Sequence, residues 1–449
     1  ILDAAGNGED SLIAAGIEYA VDHDADVISL SVGGQWVDIA EPSIAMAQEA
    51  VSQGVTVVIA SGNEGPSAYT MNSPGVTQEV ITVGASAGAE GVVGFSSRGP
   101  VVNQQTEPYG YFVKPDLIAP GYNVFSGRAA EASFEYSIYN QSQYGSSYTM
   151  WSGTSASTPQ IAGLAALLLD KHIALTPIIT KTALMAGATD LGADPMAQGW
   201  GLANATRASE IIEESSKLLT IVTPKRYPTL PGGSNVFIVG DERAAQNVTV
   251  LSTVDRNALD IEMTGNVSQF IVVDESVDVT EGYSYFTISL EVPANLSLDA
   301  VGTYGGQLAL VSGTDTFATM DLHVTIIVFG GRLLVDMAHH SYEDPDDPSL
   351  YQYFREYLEE QGVIMEEFSS PENPQPIDSD AIAAADTFMI MDTETSYDAD
   401  EIDALHQFVE EGGTLLVMSE YYNSTTSTAA FAIDSYNEIL SPYGIECEE

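Results

Sequence analysis

The chain has 449 residues, 45% of them hydrophobic, and a net charge of −51 from 64 acidic and 13 basic residues. Its length allows two or three domains with cores of their own. Its charge argues against nucleic acid and anionic membranes as partners; it fits work in high salt, where screening shortens self-repulsion to about 3 Å at 1 M, or else an acidic, calcium-rich extracellular surface. Cys447 is the only cysteine, which excludes an intrachain disulfide, and no apolar run reaches the roughly 18 residues of a membrane-spanning helix.

Residues 1 to about 215 alternate helix and strand. Helical patterns at Ser11 to Asp22, Ile39 to Ser52, Ser155 to His172 and Pro177 to Ala186 enclose strands near Val27, Val55 and Ile81. Such alternation predicts a parallel sheet covered on both faces, with sites at the carboxyl ends of its strands. Val55 to Ala60 is β-branched and apolar and runs into Gly62 and Gly65, so it reads as a buried strand ending in a tight loop. There the Asn63 amide would be held rigidly enough to donate to a developing oxyanion; taken alone, a turn asparagine is the simpler account. Further on, Ser152-Gly153-Thr154-Ser155 leads into the apolar stretch Ile161 to Leu169, with Pro159 expected in the first helical turn. A serine there faces unpaired N–H groups and the positive end of the helix dipole, as a nucleophile would; an ordinary N-cap is the plainer account. The aromatic stretch between Gly127 and Tyr148 reads as a cleft wall or a surface loop.

Five segments in one order carry a family resemblance. They are Asp26 to Gly34, Val57 to Gly65, Gly94 to Pro100, Lys114 to Gly121, and Ser152 to Gly163 with its Gly-Thr-Ser and following proline. They resemble the motifs of the subtilisin-like serine proteases, and Trp200 to Asn204 is similar to that family's closing segment. The resemblance implies Ser155 as the acyl-transfer nucleophile and Asn63 as an oxyanion donor. It further implies a peptide-binding edge at Ser31, Val32 and Gly33, with Ser61, Gly62 and the loop Tyr69 to Met71 bordering the pocket. The substrates implied are proteins or peptides. No cofactor is required; structural calcium is common in the family, but no ligand set can be matched and none is assigned.

A serine hydroxyl needs a base, usually histidine oriented by a carboxylate. In this family the order is Asp, His, Ser, yet only His23 precedes Ser155, and it reads as a solvated helix end. By resemblance the chain begins after both missing residues, so it is expected to be an N-terminally truncated piece, itself inactive. A signal peptide would lie in the missing part, and six Asn-X-Ser/Thr sequons are compatible with a secreted or cell-surface protein.

From about 218 to 328, short alternating runs such as Asn247 to Ser252, Phe270 to Val273, Tyr285 to Val292 and Leu308 to Val311 predict a β-sandwich acting as a spacer or docking module. From 330 to 449 the α/β pattern returns. Strands are expected at Arg332 to Met337, Val363 to Phe368, Thr387 to Asp392 and Thr414 to Ser419, and helices at Leu350 to Gln361 and Ala399 to Glu411. Met391 to Glu394, Gly412 to Val417 and Tyr421 to Asn423 are similar to the amidotransferase-like domain of site-one protease, another subtilase. No cysteine elbow exists there, and Ser419 lacks flanking glycines, so a non-catalytic flavodoxin-like or amidotransferase-like module is expected. His339-His340 with Glu343, Asp344, Asp346 and Asp347 reads as a solvated acidic loop or a metal site. Two functions remain open: a subtilisin-like endopeptidase, and a catalytically inactive protease-like binding or surface protein.

Overall fold

The structure, a computed structural model, describes residues 1–2, 8–35, 41–103, 110–127, 147–228, 236–238, 246–293, 302–327, 331–336, 358, 363–369, 377–391, 397–418 and 437–443. The chain divides into two compact units, the first made of 1–235, 242–292 and 303–324 and the second of 236–241, 293–302 and 325–449.

The first unit is built on helix α1 (Asp10–Asp22), strand β1 (Val27–Leu30), α2 (Pro42–Ser52), β2 (Thr56–Ala60), β3 (Ile81–Ser86), β4 (Leu117–Pro120), α3 (Thr154–Lys171) and α4 (Pro177–Gly187). The four strands form a parallel sheet in the order β1-β2-β3-β4. Strand β2 is buried along its whole length and shows why the sequence reads as apolar without polar alternation. Val57 and Ile59 pack toward Ile13 and Ile17 of α1 and Ala47 and Ala50 of α2. Val58, on the opposite face, joins Ile161, Ala162 and Leu168 of α3 and Leu184 of α4. Each of the Val, Leu and Ile side chains contributes about 1.5–3 kcal/mol by leaving water. Helix α2 begins at Pro42, as expected of a proline at the first helical position; the predicted start at Ile39 lies outside the described residues.

Two sheets follow, in the first unit but for residues 302 and 325–327. One runs in the order Thr220–Thr223, Gln246–Ser252, Gly282–Leu290, Ile271–Val273, all antiparallel. The other contains Arg226–Tyr227, Asp315–Ile327, Gly302–Ser312, Arg256–Gly265 and Ser276–Val279, with Arg226–Tyr227 joined in parallel. Ile221 and Leu251 of the first sheet belong to the same apolar cluster as Val58 and Leu184. The Tyr283 and Tyr285 hydroxyls donate to the Gln78 carbonyl (3.0 Å) and Gln78 Oε1 (2.8 Å).

Beneath that contact lies a buried charge cluster. Asp116 receives Lys114 Nζ at 2.8 Å and Lys181 Nζ at 3.0 Å, and its Oδ2 also accepts the Thr82 N–H at 2.7 Å. The lysines further donate to the Val80 carbonyl, Lys114 at 3.1 Å and Lys181 at 2.8 Å. One carboxylate cannot neutralise two ammonium groups. Burial pushes Lys114 down to about 7 despite Asp116 beside it, and the Lys181 charge adds to the fall. Burial works against Lys181 too, but attraction to Asp116 and Tyr283 outweighs it and holds that group above the ordinary lysine range. Between about pH 7 and the ordinary value of 10.5, the unfolded chain keeps a proton on Lys114 that the folded chain has released. Stability therefore rises with pH through that window. Urea midpoints measured from about pH 7 to about pH 9 should climb, and Lys114→Met should flatten the climb.

In the second unit, Val363–Ser369, Gly331–Asp336, Thr387–Met391 and Thr414–Met418 form a wholly parallel sheet in that order. Helix Ala399–Glu410 starts in a capping box between Asp398 and Glu401 and packs Leu405 and Phe408 with Phe388 and Ile390 of the sheet. Apart from Leu358, the helix expected at 350–361 lies outside the described residues. So do His339 to Asp347, Asp392 to Glu394, Ser419, Tyr421 to Asn423, Cys447 and most of the aromatic stretch 127–148.

Candidate active site

Because β1 and β2 are adjacent and parallel, the loops beyond Leu30 and Ala60 leave the same edge of the sheet. The N-terminus of α3 arrives at that edge. A cleft of about 650 Å³ opens there, lined among others by Ser31, Val32, Gly33, Gly62, Asn63, Thr154 and Ser155. Six of the seven residues singled out in the sequence are thus gathered at one place. Ser61 is not on the surface of the cleft: its side chain is fully buried, and its carbonyl accepts the Asn72 N–H at 2.9 Å. Nor does the loop Tyr69 to Met71 line it.

The Asn63 amide is fixed by the helix it faces. Gly153, the residue capping α3, offers no side chain, and the orphan Thr154 N–H donates instead to Asn63 Oδ1 at 2.9 Å. The Thr154 hydroxyl donates to the same oxygen at 3.1 Å. A backbone N–H can only donate, so Oδ1 must face α3 and Nδ2 must face away. Nδ2 has no acceptor among the described residues, and the Ser155 backbone N–H likewise has none. Two unspent donors therefore belong to residues that line the same cleft as the Ser155 hydroxyl, a set from which a developing oxyanion can be held. The loop is clamped from behind, where Glu64 Oε2 accepts the Asn63 N–H at 2.6 Å and the Ser97 hydroxyl at 3.0 Å. Gly62 is required there: its φ is +109°, and a Cβ would stand 2.6 Å from both Glu64 Oε2 and Ser97 Oγ.

Pro159 stands at the sixth position of α3, in the second turn instead of the expected first. Lacking an N–H, it cannot bond the carbonyl of Ser155 four residues earlier. The Ser31 hydroxyl takes that carbonyl at 3.0 Å, and the Ser155 hydroxyl donates back to the Ser31 carbonyl at 3.2 Å. The proline thus frees the oxygen by which the edge residue is tied to the helix start. Ser31→Ala should leave the Ser155 carbonyl short of a donor and lower stability by about 1 kcal/mol, readable as a fall in the urea midpoint.

His23 caps the end of α1, exposed, with its ring stacked on Tyr19 at 3.9 Å and Nδ1 against the Tyr19 carbonyl at 2.7 Å. It does not line the cleft. Residues that sequence reasoning did not place there are Thr154, Asn72, Ser73, Glu41 and Asp10. Thr154 stood in the Gly-Thr-Ser run and was legible as a neighbour of the serine; the others had no local signal. Among the described residues, no group of three or more His, Cys, Asp or Glu side chains is arranged to hold a metal, and no helix is long and apolar enough to cross a membrane.

The first unit is thus an α/β domain with a parallel sheet between two helical layers, a serine at a helix start and an asparagine at a strand end sharing one cleft. Residues 1–201 match the subtilase family. Among curated relatives, the serine protease AprX of Bacillus subtilis (strain 168) is 37% identical over 225 residues, covering 46% of this chain and 49% of that protein. Pyrolysin of Pyrococcus furiosus is 33% identical over 262 residues, 47% of this chain and 17% of that protein. Subtilisin of Bacillus pumilus is 33% identical over 212 residues, 47% of this chain and 66% of that protein. The chain thus spans about half the length of AprX and a smaller share of pyrolysin.

Proposed function

We propose that residues 1–201 are the nucleophile-bearing part of a subtilisin-type serine endopeptidase. Ser155 Oγ attacks the scissile carbonyl carbon while its proton passes to a base. The carbonyl oxygen, now anionic, is held by Asn63 Nδ2 and the Ser155 N–H. Collapse of that intermediate expels the amine, which takes the proton from the base, and leaves an ester on Ser155 for water to hydrolyse. The backbone of Ser31, Val32 and Gly33 pairs with the substrate as an added strand. The observation that carries this reading is the Asn63 amide, held by Thr154 so that its free donor stands beside Ser155. Full activity requires a histidine base oriented by a carboxylate, and no histidine is among the described residues lining the cleft.

Phosphonylation of the chain by a fluorophosphonate, read by mass spectrometry, tests the reading. Ser155 should be the modified residue, at a rate well below that of a subtilase with a complete triad, and Ser155→Ala should abolish the adduct. Modification elsewhere overturns the nucleophile, and a rate equal to that of an intact subtilase overturns the missing base. No adduct at all would favour a protease-like binding protein.

The same proposal takes the two sheets of 218–328 as a sandwich without catalytic groups and 330–449 as a non-catalytic flavodoxin-like or amidotransferase-like module. The parallel order of the second unit's four strands supports the latter. An extracellular, salt-rich setting accords with the net charge of −51, and no cofactor is assigned.

A further inference from the structure

We infer that a second pocket, beside Lys225, binds a small organic carboxylate, with its charge on the Lys225 ammonium and its apolar body against Trp200 and Phe317. That pocket shares no residue with the cleft at Ser155 and stands apart from the peptidase reading. Its volume is about 320 Å³, enough to enclose a small ligand. Trp200 comes from the end of the sheet domain, Ile221 from strand Thr220–Thr223 and Phe317 from strand Asp315–Ile327.

In so acidic a chain a cation readily finds a carboxylate, and Lys114, Lys171, Lys181, Arg207, Arg226 and Arg332 each contact one. Among the described residues, Lys225 contacts none. Its Nζ donates to the Trp200 carbonyl at 3.1 Å and stands 4.3 Å from the centre of that residue's ring. Arg256 contacts none either: its Nε donates to Thr220 Oγ1 at 2.8 Å, and its guanidinium lies 4.1 Å over the Phe317 ring. Thr220 and Phe317 both line the pocket, so Arg256 backs the wall that Lys225 faces in sequence and charge.

The carboxylates of the pocket are already engaged. Asp190 accepts from Arg226 at 2.7 Å and from the Gly192 N–H and Gln198 Nε2 at 2.8 Å, and Asp321 accepts from Gln307 Nε2 at 3.1 Å. Lys225, Arg226 and Arg256 against Asp190 and Asp321 leave one surplus positive charge, in a chain whose net charge is −51. Burial holds Lys225 below the ordinary lysine range, and the pull of Asp190 and Asp321 does not make up for it. A carboxylate bonded to Nζ would supply the missing counter-charge.

Trp200 is 9% exposed, and its indole N–H has no acceptor among the described residues. The pocket wall thus contains a donor for which the chain offers no partner. Beside it, buried Ile221 and Ala318 and the two rings present apolar surface. A bare inorganic ion would lose water against that surface without return, whereas an apolar body gains by covering it.

Calorimetric titration of the full chain with benzoate, benzamide, benzylammonium, inorganic sulfate, and the peptide acetyl-Ala-Ala-Phe as free acid and as amide tests the inference. Benzoate should bind at least about tenfold tighter than benzamide, benzylammonium should be weakest, and the advantage of benzoate should narrow in 1 M salt. Lys225→Met should bring benzoate to within about twofold of benzamide, while Lys225→Arg keeps the charge and should keep the preference. A peptide acid that outbinds its amide in the parent chain but not in Lys225→Met identifies the ligand as a peptide C-terminus; binding of benzoate without the peptide acid identifies a free organic acid. Benzamide binding as tightly as benzoate, sulfate binding more tightly than benzoate, an advantage unchanged in Lys225→Met, or no binding by any of these compounds overturns the inference. None of these results bears on the labelling of Ser155, which tests the peptidase reading separately.

Discussion

Asp116→Ala should lower stability by about 3–5 kcal/mol, the loss expected when one partner of a buried ion cluster is removed and the other charges stay behind. Among the described residues, Asp116 is the only carboxylate in contact with the Lys114 and Lys181 ammonium groups, which are 1% and 3% exposed at the side chain. It also takes the Thr82 N–H at the start of β3. Without it, the Lys181 cation would face only carbonyl oxygens, and Lys114 would lose the charge that helps it hold a proton. The check is urea unfolding of the variant beside Asp116→Ala/Lys181→Met, which removes the orphaned cation and should recover part of the loss. Equal stability of Asp116→Ala and the parent chain would show that water reaches the cluster.

Asn63→Ala should slow phosphonylation of Ser155 by about 10²–10³-fold, a size taken from subtilisin, where an oxyanion donor of this kind was removed. Two effects combine. The Nδ2 donor disappears, and the Thr154 N–H and hydroxyl lose the acceptor that aligns the first turn of α3. Asn63→Asp separates them, because it keeps an oxygen for Thr154 but offers no N–H to the oxyanion. If Asn63→Asp reacts as fast as the parent chain, the asparagine is a helix cap and nothing more.

Much of this arrangement was legible in the sequence, and the reason is local. Val55 to Ala60 is apolar at every position because β2 is covered on both faces, and Gly62 is glycine because its φ is positive. Ser155 and Asn63 each stand at the end of an element whose end is marked by its own residues. What could not be read depends on partners far apart in the chain. Lys114 and Asp116 were visible as a motif, but their third member, Lys181, lies on α4 and meets them only when that helix crosses the sheet. Asn72 had no signal of its own, since its position between Gly33 and Gly62 arises from the pairing of Gln35 with it. Pro159 was assigned to the first turn from its distance to Ser155; the Ser31 hydroxyl that makes a second-turn proline tolerable is more than a hundred residues away. Ser61 was placed on the pocket because its neighbours are there, and the alternation of the chain beyond β2 turns its side chain inward.

The joint between the sheet domain and the β-rich stretch bears on how such a chain can be inherited. Ile221 and Leu251 complete the apolar layer beneath α4, and Tyr283 and Tyr285 close over Gln78 directly above the Lys181 contact. Recombination that replaced this stretch with another sequence would strip a hydrophobic face and open a buried ion cluster in a single event. An exchange that kept the fold intact would have to carry both regions together.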